Sequence, residues 1–221
     1  MGKKMKPNEA ELVLKKGRDN EQFDFLKGFN KLIELKNCES IYKAGIYWSK
    51  FDYRSGLEAL IQFGTPEFIY RAGKFWADFD YSRGLDALIS FNSARYIYYS
   101  GLEWKRFDFN KGLDALIGIQ ESEFLFYAGA HWKEFDETKG AEALIASREP
   151  EYIYKAGTMW RNFNYEKGWQ VLEESLQKGE KWRGKAFENM KWKRALHLIW
   201  RNICKQKSWF NKGHNSNTEQ K

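Results

Sequence analysis

A chain of 221 residues, 43% hydrophobic, 18% aromatic and 30% charged, with a mean hydropathy of −0.72, can build a core but has no apolar run near the ~20 residues of a membrane span. Met1-Gly2-Lys3-Lys4 lacks the apolar stretch of a secretory signal. Cys38 and Cys204 form neither a disulfide framework nor a metal-ligand spacing, so a cytoplasmic protein is expected, with no metal and no cofactor. The net charge of +7 is unevenly placed: residues 179–221 hold eleven Lys or Arg against three acids, a net of +8, which leaves residues 1–178 at −1.

In chain order, residues 1–22 read as a degenerate repeat helix, because Val13, Leu14 and Gly17 fall in the places that Ile41, Tyr42 and Gly45 hold one repeat later. Residues 23–178 form the array. Phe23, Phe51, Phe79, Phe107, Phe135 and Phe163 recur in a strict 28-residue register without insertion. Glycines keep the same register from Gly28 and Gly56 to Gly168, as do leucines from Leu32 and Leu60 to Leu172. A second block, I-Y-x-A-G-x-x-W, runs from Ile41 to Trp48 and from Ile69 to Trp76, and recurs around Trp104, Trp132 and Trp160.

Each unit reads as two short helices. The first, helix A, is expected from Pro66 to Ala77 in the second full copy, with Thr65 as N-cap, Pro66 at N1 and Glu67 in the first turn. Ile69, Ala72, Gly73 and Trp76 follow the i, i+3, i+4, i+7 rule of a buried face. Helix B opens at Asp80 and carries Tyr81, Leu85, Leu88 and Ile89 along one stripe. Five of the repeated phenylalanines are followed by Asp and the last by Asn164; Asp24, Asp52, Asp80, Asp108 and Asp136 read as N-caps, and the repeated tryptophans are packing residues. Glycine inside a helix costs roughly 1 kcal/mol against alanine, so its recurrence at Gly45 and Gly56 predicts close approach of helix A to helix B. Strict alternation is absent. The fold class is all-α, an α-solenoid of tandem 28-residue helix-turn-helix units with a C-terminal capping helix.

Residues 179–207 read as that basic amphipathic cap, apolar at Phe187, Met190, Leu196, Ile199 and Ile203. Lys185, Lys193, Arg194 and Arg201 alternate with Trp182, Trp192 and Trp200, a mixture that also suits phosphate contacts to nucleic acid or an anionic membrane surface. Residues 208–221 are polar, and disorder is expected there.

Repeats also separate scaffold from surface. One set of helix-A positions changes from copy to copy: Glu39, Lys43, Tyr47 and Lys50, then Glu67, Arg71, Phe75 and Asp78. Next come Arg95, Tyr99, Glu103 and Arg106, then Glu123, Tyr127, His131 and Glu134, and last Glu151, Lys155, Met159 and Asn162. The spacing i, i+4, i+8, i+11 puts each set opposite the Ile/Ala/Gly/Trp stripe, and stacking would align the sets into a ladder. Its aromatic members suit anchors of a protein interface.

The layout resembles the tetratricopeptide and Sel1-like superfamily, although the unit is shorter than the roughly 34 residues of a tetratricopeptide repeat and W-x-x-L-G-x-x-Y is not met. Over residues 9–178 it is more similar to uncharacterised 28-residue repeat arrays of AT-rich bacteria, phages and large viruses, which share its Y-I-Y and A-L-I blocks. That resemblance implies the fold and no established activity; a phage origin would place the protein in a host cell, as an inhibitor of a host nucleic-acid enzyme. His131, His197 and His214 have neither metal spacing nor a nearby nucleophile. The expectation is therefore a non-enzymatic module that binds a protein partner through Lys43, Tyr47, Arg71, Phe75, Tyr99, Glu103, Arg106, Tyr127, His131 and Lys155. The alternative is a nucleic-acid or ribonucleoprotein binder using Lys185, Lys193, Arg194 and Arg201.

Overall fold

The computed structural model describes residues 8–177, in which every regular element is an α-helix. The expected cap over 179–207, its four basic candidates and the expected disordered tail lie outside these residues. The helices are α1 (Glu9–Asp19), α2 (Phe25–Glu34), α3 (Cys38–Tyr47), α4 (Tyr53–Gln62), α5 (Pro66–Phe75) and α6 (Tyr81–Ser90). They continue as α7 (Ala94–Glu103), α8 (Phe109–Ile119), α9 (Ser122–His131), α10 (Glu137–Ser147), α11 (Pro150–Met159) and α12 (Tyr165–Gln177). Odd numbers are A helices and even numbers B helices. The chain forms two compact units, Met1–Phe135 and Asp136–Lys221.

In the first unit α1, α3, α5 and α7 each pack on the B helix that follows and on the next A helix, so that α1, α3, α5, α7 and α9 stack in order. The B helices lie on this layer, each also touching the A helix that follows. This is an α-solenoid of helical hairpins. In the second unit α11 packs against both α10 and α12, and these two meet each other.

Local chemistry accounts for the boundaries. Asp24, Asp52, Asp80 and Asp108 accept from the backbone N–H three residues on at 2.9–3.0 Å, as do Asp136 at 3.0 Å and Asn164 at 3.1 Å in the second unit, so the expected N-caps are present. Helix α1 is stronger at its start than its worn sequence implies, since Asn8 and Glu11 form a reciprocal capping box. Thr65 holds the expected N-cap position ahead of Pro66, but its hydroxyl donates to the Leu60 carbonyl at 3.1 Å and makes no cap bond of its own. Five residues at one register, Lys36, Gly64, Asn92, Gln120 and Arg148, take φ of 49–64° in the left-handed region after a B helix. Only one of them is the glycine that this conformation favours.

Helix A is shorter than expected, ending at Phe75 in α5, because Trp76 leaves the helix with φ −72° and ψ 145°. Its N–H still bonds the Ala72 carbonyl, and the extended backbone sends the indole into the preceding repeat. There Trp48, Trp76, Trp104 and Trp132 donate from Nε1 to the carbonyls of Leu14, Tyr42, Tyr70 and Tyr98 at 3.0–3.1 Å.

These indoles correct the reading of the glycines. A Cβ on Gly45 would lie 2.3 Å from Trp76 Nε1. One on Gly56 would lie 2.5 Å from Phe51 Cζ and 3.1 Å from Trp76 Cη2. The space is occupied by rings, not by a neighbouring backbone. Phe51 and Trp76 themselves meet edge to face at 5.2 Å. Around them Leu32, Leu60, Leu88, Ile41, Ile69 and Ile97 are fully buried.

Candidate functional site

Helix phase turns Ile41, Ala44 and Gly45 inward on α3, and the matching residues inward on α5. The opposite side carries the variable positions, but the stack treats them unequally. On α3 and α5, Tyr47 is 52% and Phe75 55% exposed, one repeat apart at equivalent places. Lys43 pairs with Glu39 at 2.7 Å and Arg71 with Glu67 at 2.6 Å, each within its own helix. The Arg71 guanidinium lies 5.7 Å over the Phe68 ring, and the Lys74 ammonium 5.2 Å over the ring of Phe75.

On α7 and α9 the same positions are drawn into contacts between repeats. Tyr99 is half-buried with its ring 6.0 Å from Tyr70, and half-buried Tyr127 lies 6.0 Å from Tyr98. Glu103 accepts the Tyr70 hydroxyl and meets Lys74 at 2.6 Å. His131 Nδ1 is 2.9 Å from the Tyr98 hydroxyl. The expectation of one uniform solvent-facing ladder is thus met at Tyr47 and Phe75, whereas Tyr99 and Tyr127 also support the scaffold.

Two further candidates stand apart. Arg106 follows Trp104 in the turn after α7, off the helix face, and lines a groove of about 510 Å³ with Phe79, Tyr81, Phe107 and Lys111. The reason is the early helix end at Glu103, so the i+11 position never completes its turn. Lys155 belongs to α11 of the second unit and bonds Glu151 at 2.5 Å.

Burial, then the hydrogen bond to Glu103, holds the Tyr70 hydroxyl well above its ordinary range. Burial also opposes the charge on Glu103, but the Lys74 ammonium and the Tyr70 hydroxyl outweigh it and hold that carboxyl below its usual range. Burial raises Tyr42 and Tyr98 as well. The sequence places these tyrosines in the Ile-Tyr block without showing that they bridge repeats. The available signal is a polar residue 33 positions later, Glu103 after Tyr70 and His131 after Tyr98.

The B side offers grooves between successive B helices. Glu58 and Arg83 bridge one with two bonds of 2.8 Å, and Asp86 and Lys111 another at 2.5 Å. Between α2 and α4 the same register holds Asn30 and Ser55, and a groove of about 710 Å³ lies there, lined by Phe29, Ile33 and the 72% exposed Leu26. Among the described residues no three His, Cys, Asp or Glu side chains are grouped to hold a metal ion.

The chain matches no protein-family model, no curated protein and no solved structure.

Proposed function

We propose that this chain is a non-enzymatic recognition module that binds a protein partner over its A-helix face, with Tyr47 and Phe75 as the anchors. One observation carries the reading: two large aromatic side chains stand more than half exposed at equivalent places on adjacent stacked helices. Aromatic residues presented on a rigid frame contribute much of the energy of protein interfaces. Lys43, Arg71 and Lys74 flank them, each already paired or seated on a ring, and so form a polar rim held in place. Glu103, Tyr99, Tyr127 and His131 extend the face toward α9. A phage-type inhibitor of a host nucleic-acid enzyme is one form such a module takes.

The second reading, a nucleic-acid binder, rests on the +8 of residues 179–221 against −1 for the rest. An affinity pulldown with and without nuclease separates the two. Protein recognition survives nuclease and moderate salt and is lost in the folded variant Tyr47→Ala/Phe75→Ala. Capture that disappears with nuclease, or that ignores this variant, rejects the face.

A further inference from the structure

We propose that the groove between α2 and α4 is a second docking surface, which takes an amphipathic helix of a partner protein with an apolar face and acidic flanks. The groove holds about 710 Å³, and it departs from its own copies along the B layer. Between α4 and α6 the Glu58–Arg83 pair spans the two helices, and between α6 and α8 the Asp86–Lys111 pair does so. The register of those pairs falls here on Asn30 and Ser55, which carry no charge to bridge with. Ser55 turns instead to its own N-cap and donates its hydroxyl to Asp52 at 2.6 Å.

Leu26 is the second departure. The equivalent positions of α4, α6 and α8 hold Arg54, Ser82 and Asn110, so the scaffold is built with a polar side chain at this place. In α2 a leucine stands there, 72% exposed and lining the groove. Leu26, Phe29 and Ile33 follow at i, i+3 and i+7 and make one apolar stripe along the groove. A leucine held in water where its copies are polar gains burial only from something laid over it.

The charges select the occupant. Lys50, Asp52, Arg54 and Glu58 are the charged residues that line the groove. Both carboxylates are already bonded: Asp52 accepts the Ser55 N–H at 3.0 Å as well as its hydroxyl, and Glu58 accepts both bonds from Arg83. Lys50 and Arg54 are exposed, and among the described residues neither has an ion-pair partner. The groove thus presents an apolar stripe beside two uncommitted cations, the complement of an apolar face flanked by carboxylates. The occupant is a helix for a backbone reason. Helices α2 and α4 bond their own main chain along their length, so an extended segment laid between them would find no partners for its N–H and C=O groups, whereas a helix brings its own.

The test uses the full chain with isotope-labelled leucine methyls, the Leu26 signals identified by their loss in Leu26→Ser. The probes are two designed helical peptides with leucine along one face, one flanked by glutamates and the other by lysines. The acidic peptide should shift the Leu26 signals and bind about tenfold tighter than the basic one. Leu26→Ser, which copies Ser82, should keep the fold and weaken the acidic peptide roughly tenfold. Lys50→Glu/Arg54→Glu should reverse the preference between the two peptides. Tyr47→Ala/Phe75→Ala should change none of this, so failure here is distinct from failure of the A-helix face. No binding of the acidic peptide, equal affinity for both peptides, or binding that ignores Leu26→Ser or the charge reversal overturns the proposal. So does a Leu26 signal already shielded from a soluble paramagnetic agent in the free chain. Shielding that fades on dilution assigns the groove to a second copy, and shielding that persists assigns it to another segment of this chain.

Discussion

The indole N–H of Trp76 donates to the main-chain carbonyl of Tyr42, in the preceding repeat, at 3.0 Å. The bond fixes which way the ring faces and so aligns one repeat on the one before it. Trp76→Phe keeps an aromatic body and loses this bond, which should cost about 1–2 kcal/mol. Trp76→Ala empties the socket and should cost about 3–5 kcal/mol. Equal urea midpoints for the two variants would show that ring volume alone matters.

The glycines make the opposite demand. Gly84→Ala brings a methyl 2.5 Å from Phe79 Cζ, 2.7 Å from Phe79 Cε1 and 3.2 Å from Trp104 Cη2, against rings that are themselves buried. The gain in helix propensity is about 1 kcal/mol and the overpacking about 1–3 kcal/mol. Gly84→Ala should therefore lower stability, contrary to what the helix pattern alone implies for alanine. A thermal melt shifted upward would refute this packing account.

Stabilisation is available at the left-handed positions. Gln120 at φ 63° and Arg148 at φ 57° take the conformation that Gly64 takes at φ 64°. Gln120→Gly should raise stability by about 0.5–1 kcal/mol, because a side chain there is strained by its own backbone. Gly64→Gln should lower it by a similar amount in the same denaturation assay.

Alkali should weaken the fold through Tyr70. Its folded-state pKa is raised by burial and by Glu103, so its stabilising contribution is full below the unfolded tyrosine value of about 10 and fades as pH climbs past it. Glu103 has the reverse sign: its depressed pKa gives stability present above the ordinary glutamate range and lost as pH falls through its folded value. Tyr70→Phe should flatten the decline in urea midpoint between pH 9 and 11. Glu103→Gln should flatten the acid limb.

Tyr99 and Tyr47 occupy ladder positions that sequence alone treats alike, yet they should respond differently. Tyr47→Ala and Phe75→Ala should each change stability by less than about 0.5 kcal/mol. Tyr99→Ala and Tyr127→Ala should cost more, because their rings lie on Tyr70 and Tyr98. Circular dichroism melts of the four variants rank them directly.

What is legible in the residues follows from the range of each interaction. The Phe-Asp pair announces a turn and an N-cap because a cap acts within a single helical turn, and Asp80 bonds the Arg83 N–H as its spacing requires. The inward phase of Ile69, Ala72 and Gly73 is legible for the same reason. The fillers of the glycine gaps are not, since Gly45 is matched by Trp76 in the next repeat and no local rule reports a distance between repeats. Likewise helix phase places Glu103 on a face, but only stacking brings Tyr70 to it. The i+7 spacing of Trp76 from Ile69 fits an apolar stripe whether or not the helix continues through it, so sequence alone carries the helix to Ala77, two residues past its end at Phe75.

The keyed indole also has a genetic consequence. Because the repeats of the first unit lend Trp48, Trp76, Trp104 and Trp132 to the repeat before at constant spacing, a crossover between two neighbouring repeat sequences there removes or duplicates one whole repeat and still leaves every interior ring facing a glycine. The array can therefore change length by whole modules within one generation, without a compensating mutation, while a single-codon insertion between Gly45 and Trp76 is disfavoured at once. The absence of any insertion from Phe23 to Phe163 is the trace that such a rule leaves.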